Sequence, residues 1–136
     1  MRGVREPTIR EFDRDEALEL VGRASVGRVA VTLNGVPHVV PVNFRLLDGA
    51  MVFRSGAGTK LAAALAETPV SFEVDHIDET TLTGWSVLVS GRASVVTDPK
   101  VLARVEALDL VTWAPGRRDE IVRISPELVS GRQIDR

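Results

Sequence analysis

Arg54, Ser55, Thr59 and Lys60 fall in the stretch Met51-Val52-Phe53-Arg54-Ser55-Gly56-Ala57-Gly58-Thr59-Lys60-Leu61. Two cations and two hydroxyls at that spacing could hold a phosphate. The stretch reads as a strand, a glycine-containing turn and the first turn of a helix. A helix start offers unpaired backbone N–H groups and the positive end of the peptide dipole, and Lys60 would add a full charge there. The Walker loop of nucleoside triphosphatases is excluded, because Thr59 separates Gly58 from Lys60 and no Ser or Thr follows the lysine. An ordinary strand-to-helix turn accounts for the same residues, with Gly56 and Gly58 supplying special backbone angles, Thr59 an N-cap and Lys60 solvated.

Other residue types that do chemistry are sparse. His38 and His76 are the only histidines, and neither has a partner at zinc-ligand spacing. His76 among Asp75, Asp78 and Glu79 could attract a cation or serve as a haem ligand, but a solvated acidic loop explains it as well. Ser55 and Ser86 have no neighbouring histidine, so serine hydrolase chemistry is not indicated. Trp85 and Trp113 are the only tryptophans. Either could stack on a ring or wall a cleft; Trp85 also suits a core position, whereas Trp113 lies in a Pro/Gly loop with Arg117 and Arg118.

The chain of 136 residues carries 44% apolar residues, enough for the core of one compact domain. The absence of cysteine excludes disulfides, thiolate catalysis and cysteine-bound metal, and fits a reducing cytosol. With 17 basic residues scattered against 19 acidic ones, no basic footprint for nucleic acid is present. No apolar run reaches membrane-spanning length and no signal-peptide core follows the N-terminus, so a cytoplasmic, unprocessed protein is expected.

The elements that would position these residues can be read in order. Residues 1–11 form an extended arm. Asp13 and Glu16 have capping-box spacing before a helix carrying Ala17, Leu18, Val21 and Ala24. Val26 to Leu33 reads as a strand, Asn34-Gly35 as a hairpin turn and Val39 to Leu47 as the return strand. Pro37 and Pro41 remove ladder donors there, which predicts an edge position or a bulge. Asp48-Gly49 repeats the turn before a strand from Ala50 to Ser55. A short alanine-rich helix from Thr59 to Glu67 follows, then a strand from Val70 to Val74, a loop from Asp75 to Gly84 and a long strand from Trp85 to Val96 in which Gly91 allows a bend. Asp98-Pro99 starts a helix with Val101, Leu102, Val105 and Leu108 on its apolar face. A loop from Thr112 to Arg118, a strand from Glu120 to Ile124 and a final extended piece from Leu128 to Ile134 complete the chain. The result is a mainly β or α+β domain: six or seven strands of mainly hairpin connection forming a small barrel with short helices packed outside it.

In order and spacing these pieces resemble the pyridoxamine 5′-phosphate oxidase-like flavin-binding split barrels, and most of all the short oxidase-like members. The resemblance rests on Val26 to Ala30, Pro37 to Phe44, Phe53 to Leu61, Thr68 to Val74 and Gly84 to Gly91, and covers about Arg10 to Arg132. It implies a six-stranded antiparallel split β-barrel with short flanking helices, a homodimer with flavin, as FMN, in clefts at the subunit interface, and a flavin-dependent oxidoreductase acting on a small molecule. The isoalloxazine would lie against Val40, Pro41, Val42 and Asn43, and the phosphate against Arg54, Ser55, Thr59 and Lys60. Ser86 would supply a polar contact, with Trp85 and Trp113 available to the ring. The tryptophan and Arg-x-His element of true pyridoxamine phosphate oxidases are absent from Leu128 to Ile134, leaving Arg132 as their remnant, so vitamin B6 oxidation is not expected. A deazaflavin-dependent reductase and a non-catalytic haem or flavin sensor are the alternatives on this fold.

Overall fold

The computed structural model describes residues 6–56, 65, 69–111 and 120–136. Eight strands and two helices are found among them: β1 (Thr8–Glu11), α1 (Arg14–Arg23), β2 (Val26–Leu33), β3 (Val36–Asn43), β4 (Arg45–Leu47), β5 (Ala50–Ser55), β6 (Pro69–Asp78), β7 (Thr83–Val95), α2 (Pro99–Ala107) and β8 (Glu120–Asp135). The strands form one curled antiparallel sheet in the order β3-β2-β6-β7-β8-β5-β4, with β1 added beside β8. The split-barrel class therefore holds, while the expected six strands become eight. Neither described helix is long and apolar enough to cross a membrane.

Local chemistry accounts for the joints. Asp13 caps α1 by accepting from the Glu16 N–H at 2.9 Å, and the Glu16 side chain accepts from the Asp13 N–H at 3.4 Å. Asn34-Gly35 and Asp48-Gly49 all have positive φ, as two-residue hairpin turns require. The prolines of β3 sit at an edge of the sheet, since among the described residues β3 pairs with β2 alone. Phe44 interrupts the expected Val39–Leu47 strand and separates β3 from β4. Its ring is fully buried and meets Phe72 edge-on at 4.8 Å, so the chain turns there to bury it.

Three further expectations are corrected. The N-terminal arm is partly a strand, because Thr8 to Glu11 pairs with Asp135 to Arg132. Asp75 to Asp78, expected as a loop, continues β6 against Ser86 to Thr83; pairing with the long β7 outweighs the poor strand propensity of the acidic residues. Pro126 does not break the last strand. It faces Gly91 while Leu128 faces Ser90, so Glu127 is an extra residue at a bulge. Arg14 of α1 donates to the carbonyls of Pro126 and Glu127 at 3.1 and 3.4 Å, tying the helix to that irregularity.

Alternation along the strands gives the sheet two faces. The inner face carries Val29, Phe72 and Val89 in cross-strand contact, and Ala17 and Val21 of α1 close the same cluster. A second, smaller cluster of Val52, Val105, Leu110 and Ile121 packs α2 against β5 and β8. Strand β5 is thus covered on both sides.

Candidate functional site

The outer face of the sheet brings distant parts of the chain into cross-strand rows. Pro41 pairs with Arg28, Arg28 with Glu73, Glu73 with Leu88 and Leu88 with Ser130. The next row runs from Asp75 to Ser86, Arg132 and Glu11, and Asn43 stands opposite Val26 at the β3 end of the same face. Residues paired in this way project to one side.

Trp85, Ser86 and Arg132 meet at a cavity of about 330 Å³ whose other walls include Ile77, Leu82 and Ile134. Leu82 is held there at φ 57°, an uncommon angle for a bulky side chain, in the turn that Asp78 fixes by accepting from the N–H groups of Thr80 and Thr81. These two bonds hold the Asp78 carboxyl below its ordinary range. Ser86 and Arg132 also line an adjoining groove with Glu11, Phe12 and Leu88. An indole, a hydroxyl and a guanidinium among aliphatic walls suit a flat aromatic ligand with polar edges and an anionic group. Trp85 serves the interior too, since it packs against the main core.

The remaining expected residues lie elsewhere. Val40 pairs with the core residue Val29, and Val42 packs against the core, so both belong to the inner face while Pro41 and Asn43 face outward. Three strand spacings, about 14 Å, separate β3 from β7 across β2 and β6. Arg54 is engaged by α2 and the segment just after it: its Nε donates to the Leu110 carbonyl at 2.8 Å and its Nη2 meets the Glu106 carboxylate of α2 at 3.2 Å. Ser55, next along β5, is buried and on the opposite side of that strand. Thr59, Lys60, Trp113, Arg117 and Arg118 lie outside the described residues, as does the helix expected from Thr59 to Glu67 apart from Leu65, which is helical and buried. Within one chain the described members of the expected set therefore occupy three places: the β3 edge, the end of β5 and the cavity at β7–β8.

Sequence reasoning missed a charged cluster on the outer face. One Nη of Arg28 lies 3.2 Å from Glu73 and 3.3 Å from Asp75. Burial foremost, then the hydrogen bond and charge of Asp75, push the Glu73 carboxyl up to about 7 against the pull of Arg28. The signal was present as alternation through Ser71, Glu73 and Asp75, but ending the strand at Val74 hid it. His76 pairs with Trp85 in the ladder, and no group of three or more His, Asp or Glu suited to a metal ion occurs among the described residues.

Residues 13–133 match the family described as Pyridoxamine 5′-phosphate oxidase. An uncharacterized protein of Mycobacterium tuberculosis is 38% identical over 129 residues, covering 91% of this chain and 84% of its own. The solved structure of the FAD binding protein from Mycobacterium smegmatis superposes with a TM-score of 0.77 at 30% identity, over 93% of this chain and 98% of that one. A FAD-binding protein from Mesorhizobium loti superposes with a TM-score of 0.73 at 26% identity, over 96% of this chain and 100% of the other.

Proposed function

The chain belongs to the pyridoxamine 5′-phosphate oxidase family, and on that premise we propose that it is a cytosolic, homodimeric flavin-binding oxidoreductase acting on a small molecule. The observation that carries the reading is the convergence of Trp85, Ser86 and Arg132 on one apolar-walled cavity. The separation of that cavity from Pro41, Asn43 and the end of β5 supports a second copy, because a cleft completed by two subunits can draw on places that one chain keeps apart. FMN is the minimal ligand; it is also the part of FAD that runs from the ring to the first phosphate.

When bound, the flavin supplies the redox chemistry, taking up and passing on a hydride or electrons. The protein's share is binding and positioning. Trp85, Ile77 and Leu82 keep water from the ring, Ser86 donates a hydrogen bond to a polar edge, and Arg132 balances negative charge. The phosphate end falls to Ser55, Thr59 and Lys60, with Arg54 able to join only by sharing its guanidinium with Leu110 and Glu106.

The test is an absorption spectrum of the purified protein followed by titration of the apoprotein with FMN, FAD and riboflavin. The expected result is saturable binding of FMN or FAD at one per subunit. Arg132→Ala should weaken it by about 1.5–3 kcal/mol, the cost of losing a charge-assisted contact. Binding of a deazaflavin alone would replace the reading with a deazaflavin reductase, and a Soret band with no flavin binding would replace it with a haem protein.

A further inference from the structure

Residues 79–82 join β6 to β7, and Leu82 closes this turn at φ 57°. Glycine or asparagine suits that angle, because a Cβ crowds the backbone there. Leucine gains little from the fold in exchange. It stays 52% exposed, and Ile77, which shares the cavity wall with it, stays 60% exposed. A strained, half-exposed apolar residue on the wall of a site points to a ligand as what it serves.

Three ties hold Leu82 in place. One oxygen of Asp78, Oδ1, accepts from the N–H groups of both Thr80 and Thr81, at 2.9 and 3.1 Å. The hydroxyls of Thr81 and Thr83 share a hydrogen bond at 2.7 Å, and Nε of Arg136 donates to the Leu82 carbonyl at 3.1 Å. At the base of the turn Gly84 stands opposite Ile77, so close to β6 that a Cβ would lie 2.3 Å from the His76 carbonyl oxygen. The base is thus fixed as tightly as the tip.

We infer that Asp78 is a positioning residue for the flavin: by closing the turn it holds Leu82 at its strained angle as a wall over the ring, and so slows the flavin's release. The inference rests on the flavin reading of the cavity given above. Asp78 is not itself among the cavity walls, so it acts through Leu82. Without the two bonds to Oδ1 a leucine relaxes toward negative φ, which turns its side chain off the wall. The charge of Asp78 is not required, since an amide oxygen accepts the same two bonds.

The test follows flavin release after rapid dilution of the complex formed in the titration above, with urea unfolding of each apoprotein alongside. It compares the wild type, Asp78→Asn, Asp78→Ala, Leu82→Asn and the double variant Asp78→Ala/Leu82→Asn. Asp78→Ala should release flavin about tenfold faster, as the loss of two hydrogen bonds allows, while Asp78→Asn stays within about threefold of the wild type. Leu82→Asn should also speed release about tenfold, yet unfold at the wild-type urea concentration or above it, because asparagine accepts the angle. That opposition separates a wall held for a ligand from one that supports the fold. Adding Asp78→Ala to Leu82→Asn should change release by less than about threefold, since the side chain it positions is gone. Release from Asp78→Ala or Leu82→Asn at the wild-type rate, full additivity in the double variant, or a Leu82→Asn chain that unfolds more readily each overturns the inference and leaves the flavin site standing. A wild type that takes up no flavin overturns the flavin reading, and the inference with it.

Discussion

Single side chains separate the residues that hold this protein together from those that serve a ligand. Arg54 looks like a phosphate binder in the sequence, yet its guanidinium ties β5 to the segment just after α2 through the Leu110 carbonyl, and Leu110 is buried. Arg54→Ala should cost about 1–3 kcal/mol in urea unfolding, because a buried acceptor loses a charged donor. Glu73 stabilises least when ionised. Its carboxyl is raised from 4.5 to about 7 in the fold, so its contribution is intact below pH 4.5, is lost as pH rises through 7 and is constant above. Glu73→Gln should therefore match the wild type near pH 4 and exceed it at pH 8, by on the order of 1 kcal/mol once screening at a partly exposed side chain is allowed for. Urea midpoints at the two pH values measure this, and an equal gain at both would remove ionisation as the cause. The position of Ser86 within a long strand was legible from the alternation of that stretch. Its meeting with Arg132 was not, since register between strands far apart in the chain is set by packing on both faces.

Elements that depend on local chemistry could be read directly, and those that depend on partners could not. The Asn34-Gly35 and Asp48-Gly49 turns, the Asp13 cap and the bounds of β2 and β5 follow from the residues present. Strand β8 is different: Pro126 reads as a stop, and only the bulge opposite Gly91 lets one strand run through it. Gly91 has no room for a side chain, as a Cβ there would run into the Ser125 carbonyl oxygen. Gly91→Ala should lower stability by about 2–3 kcal/mol or more, since backbone rather than a flexible side chain must move. Gly35→Ala, where a Cβ meets nothing and only the positive φ is at issue, should cost about 1 kcal/mol. Thermal melts of the two variants compare these costs, and equal losses would show that the bulge yields.

For the whole molecule, curvature and strand order position the site, and neither is written in any one segment. Alternation and turn residues were enough to indicate a small antiparallel barrel, and the resemblance in order and spacing to a known family made it a split one. The extra strands come from splitting at Phe44 and from the pairing of β1 with β8. One consequence of this architecture concerns behaviour in crowded solution. The sheet ends at β3 with a strand that no described neighbour covers, and such a rim is a template on which a foreign chain can add itself. Strand β3 is paired along its whole length with β2, so Pro37 and Pro41 must occupy positions whose missing N–H groups would have pointed away from the sheet. The rim thus lacks two of the donors that a growing fibril would need. Pro37→Thr restores one of them without touching the core, and light scattering on prolonged incubation should show aggregation of the variant at concentrations where the parent stays clear. The two prolines act in this sense as a guard against self-templated precipitation, a service to solubility independent of any ligand the barrel holds.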